Sequence, residues 1–188
     1  SELRDMYLIS QCSLFFGTNS GPSDVATLFG KPMLLVNATE WSIGFPTKKG
    51  DLAIMKHTFS RSLNRFLSIR ETLEEPFNTQ MFGNGSDRYV MVENTPEEIR
   101  DVVEEFLAKP DNFAASELQE AFSEGRRKQI HRWFDQDESF IGATSENSIP
   151  SMYRIASRCD SSCGTLGQKY LEQNWIEDSM NLNRVGSE

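Results

Sequence analysis

The chain is poor in histidine and cysteine: its 188 residues include two of the first and three of the second. Cys12, Cys159 and Cys163 make an odd count. The Cys-x3-Cys pair lacks a second pair or a nearby histidine, so it completes neither a zinc site nor a disulfide framework. Reduced thiols of a cytosolic protein are the expectation. Positive charge is also scarce. Against 28 Asp and Glu stand 19 Lys and Arg, a net charge of -9 that excludes a general nucleic-acid binder, which needs a basic face to displace phosphate counterions. A small phosphate ligand in one local pocket stays compatible with that charge. No apolar run approaches the roughly 20 residues of a membrane-spanning helix, and no basic-then-apolar leader opens the sequence. The chain therefore reads as soluble, without a transmembrane segment.

What the chain does have is a globular composition, 38% hydrophobic, 11% aromatic and 25% charged, and enough length for one domain and a tail. "SELRDMYLISQC" begins at once in helical rhythm, with Leu3, Met6, Tyr7, Ile9 and Cys12 along an apolar face. A first residue Ser1 and a helix that starts mid-architecture point to a fragment, although processing or an expression scar accounts equally well for the missing Met.

"FFGTNSGPSDVATLFGKPMLLVN", residues 15–37, is the most informative stretch. "SLFFGT" reads as a short buried strand ended by Gly17. "PSDVATLFG" places Val25, Ala26, Leu28 and Phe29 at helical spacing, with Pro22 suited to the first turn and Gly30 to the stop. "PMLLVN" is a second buried strand. Strand, helix and strand in this order form a βαβ unit with parallel strands. The loop "GTNSG" then lies at the carboxyl end of a strand and feeds a helix whose first amides have no intrahelical partner, a position that attracts anions. Gly17 and Gly21 permit close backbone approach, and Thr18, Asn19, Ser20 and Ser23 offer groups suited to phosphate oxygens. The same residues also fit a purely structural role, in which Ser20 or Ser23 caps the helix and the glycines make the turn. The loop is neither a dinucleotide G-x-G-x-x-G nor a Walker loop.

Residues 13–37 resemble the donor-site segment of GT-B glycosyltransferases, in which a small polar loop leads into a helix, a G-x-P turn and a strand. "DMYLISQCSLFFGTNSGPSDVATLFGKPMLLVN" is similar to a bacterial glycosyltransferase family associated with surface-polysaccharide synthesis, and the similarity extends through "DLAIMKHTF", "RFLSIRETL" and "NTPEEIRDVVEEFL". Heptosyltransferases and nucleotide-sugar 2-epimerases have near-identical loops in this position, so fold is better specified than reaction. The resemblance implies that Gly17, Thr18, Asn19, Ser20 and Gly21 meet the diphosphate of a nucleotide sugar. It also implies that no metal or other cofactor is needed, because loop amides and a helix N-terminus can stabilise the departing diphosphate.

Lys56 follows the strand-like "LAIM" at an edge where α/β ligands bind, so its cation is a candidate to neutralise a leaving phosphate; a solvated lysine is the plainer reading. Ser68 and Glu71 have capping-box spacing. In many GT-B enzymes a glutamate in this neighbourhood contacts the donor, which makes Glu71 a second candidate beside its cap role. His57 adjoins the expected site without an orienting partner evident in the sequence, and His131 sits in an amphipathic helix with Leu118, Phe122, Ile130 and Phe134. The catalytic base is left unassigned, since in inverting GT-B enzymes it commonly comes from the other domain.

"DRYVMVENTPEEIRDVVEEFLAKPD" reads as a strand, a turn capped by Thr95 and a helix with Ile99, Val102, Val103, Phe106 and Leu107 as its core stripe. "EGRRKQIHR" is a basic cluster, expected as a solvated face unless it meets an acidic acceptor or a membrane surface. Helices are expected at "PSMYRIASRC" and "GQKYLEQNW", followed by a polar end.

Together these readings give an α/β chain. Residues 1–110 are expected to form a Rossmann-like parallel sheet flanked by helices, one incomplete half of a GT-B architecture, and residues 111–188 a helical C-terminal extension. Strands are expected at 13–17, 33–37, 52–55 and 89–92. The implied function is the C-terminal, donor-binding portion of a metal-independent glycosyltransferase acting on a nucleotide-sugar donor and a glycan or lipid-linked glycan acceptor. The implied partner is an absent N-terminal acceptor-binding domain, and the implied location is the cytoplasm or the periphery of the inner membrane. A nucleotide-sugar epimerase or hydrolase of the same fold, and a non-catalytic α/β scaffold, are the alternatives.

Overall fold

A computed structural model describes residues 2–39, 41, 45–74, 88–136 and 163–176. Helix α1 (Glu2–Gln11) leads into strand β1 (Phe15–Gly17), helix α2 (Gly21–Leu28) and strand β2 (Met33–Ala38), and the two strands pair in parallel as the βαβ pattern requires. Gly30 ends α2 at φ 64°, a left-handed conformation that costs glycine nothing. Strand β3 (Leu52–Met55) pairs parallel to β2, and every residue of β3 is buried. Continuous apolar strands of this kind belong in the centre of a parallel sheet covered on both faces. Each buried Leu or Ile there contributes roughly 1.5–3 kcal/mol.

Only Lys56 separates β3 from strand β4 (His57–Ser60). There the chain leaves the parallel sheet and enters a second, antiparallel one. β4 pairs with β5 (Arg65–Phe66) on one side and β6 (Tyr89–Val92) on the other. The expected strand at 89–92 is therefore present, but it belongs to this small sheet. The fourth parallel strand is β7 (Thr165–Leu166), beside β3, so the sheet order is β1-β2-β3-β7. A strand of the sheet thus comes from the segment expected to be a helical extension.

Four more helices complete the described fold: α3 (Ile69–Glu74), α4 (Pro96–Ala108), α5 (Glu117–Gln136) and α6 (Gln168–Asn174). Thr95 caps α4 by accepting from the Glu98 amide at 3.2 Å, and Pro96 occupies the first turn. Val102 and Phe106 are buried as expected, whereas Leu107 is exposed. Glu105 of α4 accepts from the Gln168 amide at 2.8 Å and so caps α6. Burial raises the Glu105 carboxyl pKa.

The basic cluster in α5 keeps its expected solvated face at Lys128, His131 and Arg132, with Lys128 paired to Glu124, and departs from it at Arg126. Arg126 is buried, with its guanidinium over the Phe45 ring at 4.5 Å. Gln129 accepts from the Trp41 indole at 2.7 Å and donates to the Thr72 carbonyl at 2.8 Å, which ties α5 to α3 and to the loop after β2. Phe122 and Ile130 are buried, while His131 is exposed.

Helix α1 forms where expected, but none of its residues is buried, and Leu3, Met6, Tyr7 and Leu8 are exposed. Phe16 on the edge strand β1 and Leu28 and Phe29 at the end of α2 are exposed as well. The helix expected at 150–159, Cys159 and the polar end lie outside the described residues. Among those residues no helix is long and apolar enough to cross a membrane.

Candidate functional site

The carboxyl ends of β1, β2 and β3 converge on one edge of the sheet. Loop 17–21 connects β1 to α2 at that edge. Asn37, near the end of β2, has φ 51°, and the β2–β3 register shifts between Leu35 and Ala38. Val36 and Asn37 of β2 lie opposite Ile54 alone, so the strand bulges and redirects the chain there. Asparagine tolerates the left-handed region better than other side-chain-bearing residues because its amide bonds locally.

Asn37 is held by Asn94, the residue before the cap of α4. The Asn37 amide donates to the Asn94 side-chain oxygen at 2.7 Å, and the Asn94 amide donates to the Asn37 side-chain oxygen at 2.6 Å. Asn94 Nδ2 also donates to the Met55 carbonyl at 2.7 Å, which fastens the end of β3 to the same knot. The loop attaches in turn. Thr18 donates its hydroxyl to the Asn37 carbonyl at 3.2 Å, and Asn19 accepts from the Thr39 amide at 3.1 Å.

The expected site residues therefore divide by position. Thr18 and Asn19 bond the neighbouring strand end. Ser23 is buried and spends its hydroxyl on the turn, donating to the Ser20 carbonyl at 2.6 Å and accepting from the Ser20 amide at 3.2 Å. Ser20 is exposed, with its hydroxyl on the Thr18 carbonyl at 3.2 Å. A Cβ at Gly17 would stand 3.1 Å from the Phe15 ring, so this glycine makes room for a neighbouring side chain. A Cβ at Gly21 would meet nothing within 4 Å. The space beside Gly21, the first residue of α2, is open.

Lys56 stands at the end of β3, half-buried, with its ammonium 3.6 Å from the Glu93 carboxylate. Its amide donates to the Ala38 carbonyl at 2.8 Å, continuing the β2–β3 connection past the strands. Glu71 is placed differently. Its carboxylate accepts from both Arg65 terminal nitrogens, at 3.0 and 2.6 Å, and from the Ser68 amide and hydroxyl at 2.8 and 2.9 Å. Arg65 is the main cause that holds its pKa down to about 2. The capping box with Ser68 is thus present, and the carboxylate is fully engaged within its own loop and helix.

His57 has the orienting partner that the sequence did not reveal. Its Nε2 lies 2.9 Å from Glu98 Oε2, both side chains are buried, and the same oxygen accepts from the Thr95 amide at 2.8 Å. The imidazole packs against the rings of Phe66 and Tyr170. The cavity beside it, shared with Thr39, Trp41 and Lys56, measures about 10 Å3, near the lower limit for a single water. A sugar does not fit there, so the pair works as a buried polar joint between β4 and α4. No spacing rule could have found it, because 41 positions separate the two residues.

Among the described residues no group of three His, Cys, Asp or Glu is placed to hold a metal ion. The sequence does contain one Asp-x-Asp string, Asp135-Gln136-Asp137, at the end of α5, and Asp137 lies outside the described residues. At the opposite end of the sheet Asp51 is buried and accepts from the Met33 amide at 2.9 Å and the Lys48 amide at 3.2 Å, pinning the starts of β2 and β3. Burial pushes its carboxyl pKa up. Comparisons with protein-family models, with curated proteins and with solved structures gave no match.

Proposed function

We propose that the chain is the donor-binding portion of a metal-independent glycosyltransferase of GT-B type, with loop 17–21 receiving the diphosphate of a nucleotide sugar. The observation that carries this reading is the open space beside Gly21, the first residue of α2, on the carboxyl edge of a parallel sheet. Backbone amides and the helix dipole favour an anion in such a place. Lys56 supplies a cation on the same edge, at the end of β3 with β2 between it and the loop, and Ser20 supplies an exposed hydroxyl in the loop. Thr18 and Asn19 act in this reading as anchors that fix the loop to β2. A GT-B enzyme places its active site in the cleft between two such domains, so the acceptor and the general base belong to the second domain.

The anchoring of Thr18 and Asn19 also favours a second reading, in which the loop serves only to fasten β1 to β2 in a non-catalytic scaffold. Calorimetric titration with UDP, GDP, CMP and their sugar conjugates, with and without magnesium, separates the two. Saturable, metal-independent binding that Gly21→Val removes without changing the melting temperature supports the donor site. Binding that Gly21→Val leaves intact places any nucleotide elsewhere and leaves the scaffold.

A further inference from the structure

Away from that edge, α3, α5 and the residue that ends α6 enclose a groove of about 220 Å3, below the ~300 Å3 floor typical of drug-sized ligands. Its lining includes Ala121 and Gly125. A Cβ at Gly125 would stand 2.8 Å from Leu73 Cδ1, so the missing side chain is what lets α3 and α5 approach this closely.

Three cations line the groove, Arg70 from α3 and Lys128 and Arg132 from α5, together with the Trp175 indole. The Lys128 ammonium is 2.5 Å from Glu124, so that pair largely cancels. Arg132 gives one N–H to the Leu73 carbonyl at 3.3 Å, closing the end of α3, and its other donors have no hydrogen-bond partner among the described residues. The Arg70 guanidinium has no ion pair among the described residues. Glu74 contributes the remaining carboxylate of the lining, which leaves the groove with net positive charge in a chain of net charge -9. Arg70 and Arg132 both line this one small volume, and an anion placed between two cations offsets their mutual repulsion. The planar fork of arginine matches phosphate oxygens in pairs, and an indole offers a flat apolar surface beside it.

We propose that this groove binds a small organic phosphate, with the phosphate between Arg70 and Arg132 and its planar apolar part on Trp175. The site shares no residue with loop 17–21 and stands independently of the function proposed above.

Phenyl phosphate and inorganic phosphate are the probes, titrated calorimetrically into the whole chain. Saturable binding is expected, tighter for phenyl phosphate, and weakened at least about tenfold by Arg70→Ala through loss of a charge-assisted contact. Arg70 is exposed, so the melting temperature of that variant should not move. Ala121→Phe, which fills the groove and leaves the cations in place, should abolish binding, whereas Gly21→Val should leave it unchanged. Sedimentation with phosphatidic acid vesicles, against phosphatidylcholine alone, separates the two sources of the phosphate. Co-sedimentation that Arg70→Ala abolishes assigns it to a lipid headgroup, and binding of the soluble ester alone assigns it to a free metabolite. The proposal fails if neither probe binds saturably, if Arg70→Ala and Ala121→Phe leave binding intact, or if Gly21→Val removes it.

Discussion

Asn37 and Asn94, 57 positions apart, each accept the other's backbone amide through their side-chain oxygens, at 2.7 and 2.6 Å. The exchange closes the bulged end of β2 onto the entrance of α4. It also sets the frame from which the loop after β1 hangs, because Thr18 bonds the Asn37 carbonyl. Truncating Asn94 to Ala leaves the Asn37 amide and the buried Met55 carbonyl without these partners. The Met55 carbonyl keeps the Tyr170 hydroxyl at 2.8 Å, so the group left orphaned is the Asn37 amide, and a loss of about 1–3 kcal/mol is expected. Urea unfolding checks it, and a loss below about 0.5 kcal/mol, the scale of an ordinary surface substitution, would show that the knot is not structural.

The βαβ unit was legible because glycine and proline punctuate it and its strands are continuous apolar runs. The second sheet was not. β4 follows β3 after one residue, so "LAIMKHTFS" offers no turn signal, and β5 and β7 have two residues each, too few for any periodicity. β6 was legible as a strand, but its antiparallel partner is a non-local fact. The loop shows the same limit. Composition identifies Thr18 and Asn19 as hydrogen-bonding residues, yet cannot distinguish a phosphate oxygen from the backbone groups of Asn37 and Thr39 as the partner.

Gly164 and Gly21 should respond oppositely to alanine. A Cβ at Gly164 would lie 2.2 Å from the Pro46 carbonyl oxygen and 2.6 Å from its carbon, so backbone must move against backbone just before β7. Gly164→Ala should cost about 3 kcal/mol or more. Gly21→Ala meets only open space and replaces the residue that loses most entropy on folding, so its effect should be neutral or stabilising by up to about 1 kcal/mol. Thermal melts of the two variants provide the comparison, and equal destabilisation would contradict the assigned surroundings.

Acid should reveal the Arg65–Glu71 pair. The folded pKa of Glu71 lies at about 2, below its ordinary 4.5, so its contribution is complete above pH 4.5 and lost as pH falls through the folded value. Solvent reaches the pair, and about 1 kcal/mol is a reasonable size for it. Arg65→Met should remove that part of the acid slope. Asp51 acts in the other direction. Its raised pKa favours folding fully below 3.8 and loses that contribution as pH rises, so subtracting the variant's profile from that of the unaltered chain isolates Glu71. Identical slopes between pH 5 and 2 would show that the pair has no effect on stability.

Lys56 and Glu93 give the functional reading two opposed outcomes. The ammonium sits 3.6 Å from a mostly exposed carboxylate, close enough for that carboxylate to compete with any diphosphate at the strand end. Lys56→Met should weaken nucleotide-diphosphate binding by about tenfold, the scale of one charge-assisted contact. Glu93→Gln removes the competitor and should tighten binding by about two- to threefold, within the range measured for exposed ion pairs. Both changes should shrink as salt rises, because the Debye length falls from about 10 Å at 0.1 M to about 3 Å at 1 M. Calorimetry at two salt concentrations measures all four values. Opposite signs that converge with salt place Lys56 at the ligand, whereas affinities unchanged in both variants leave it as a partner of Glu93 alone and remove the cation from the proposed site.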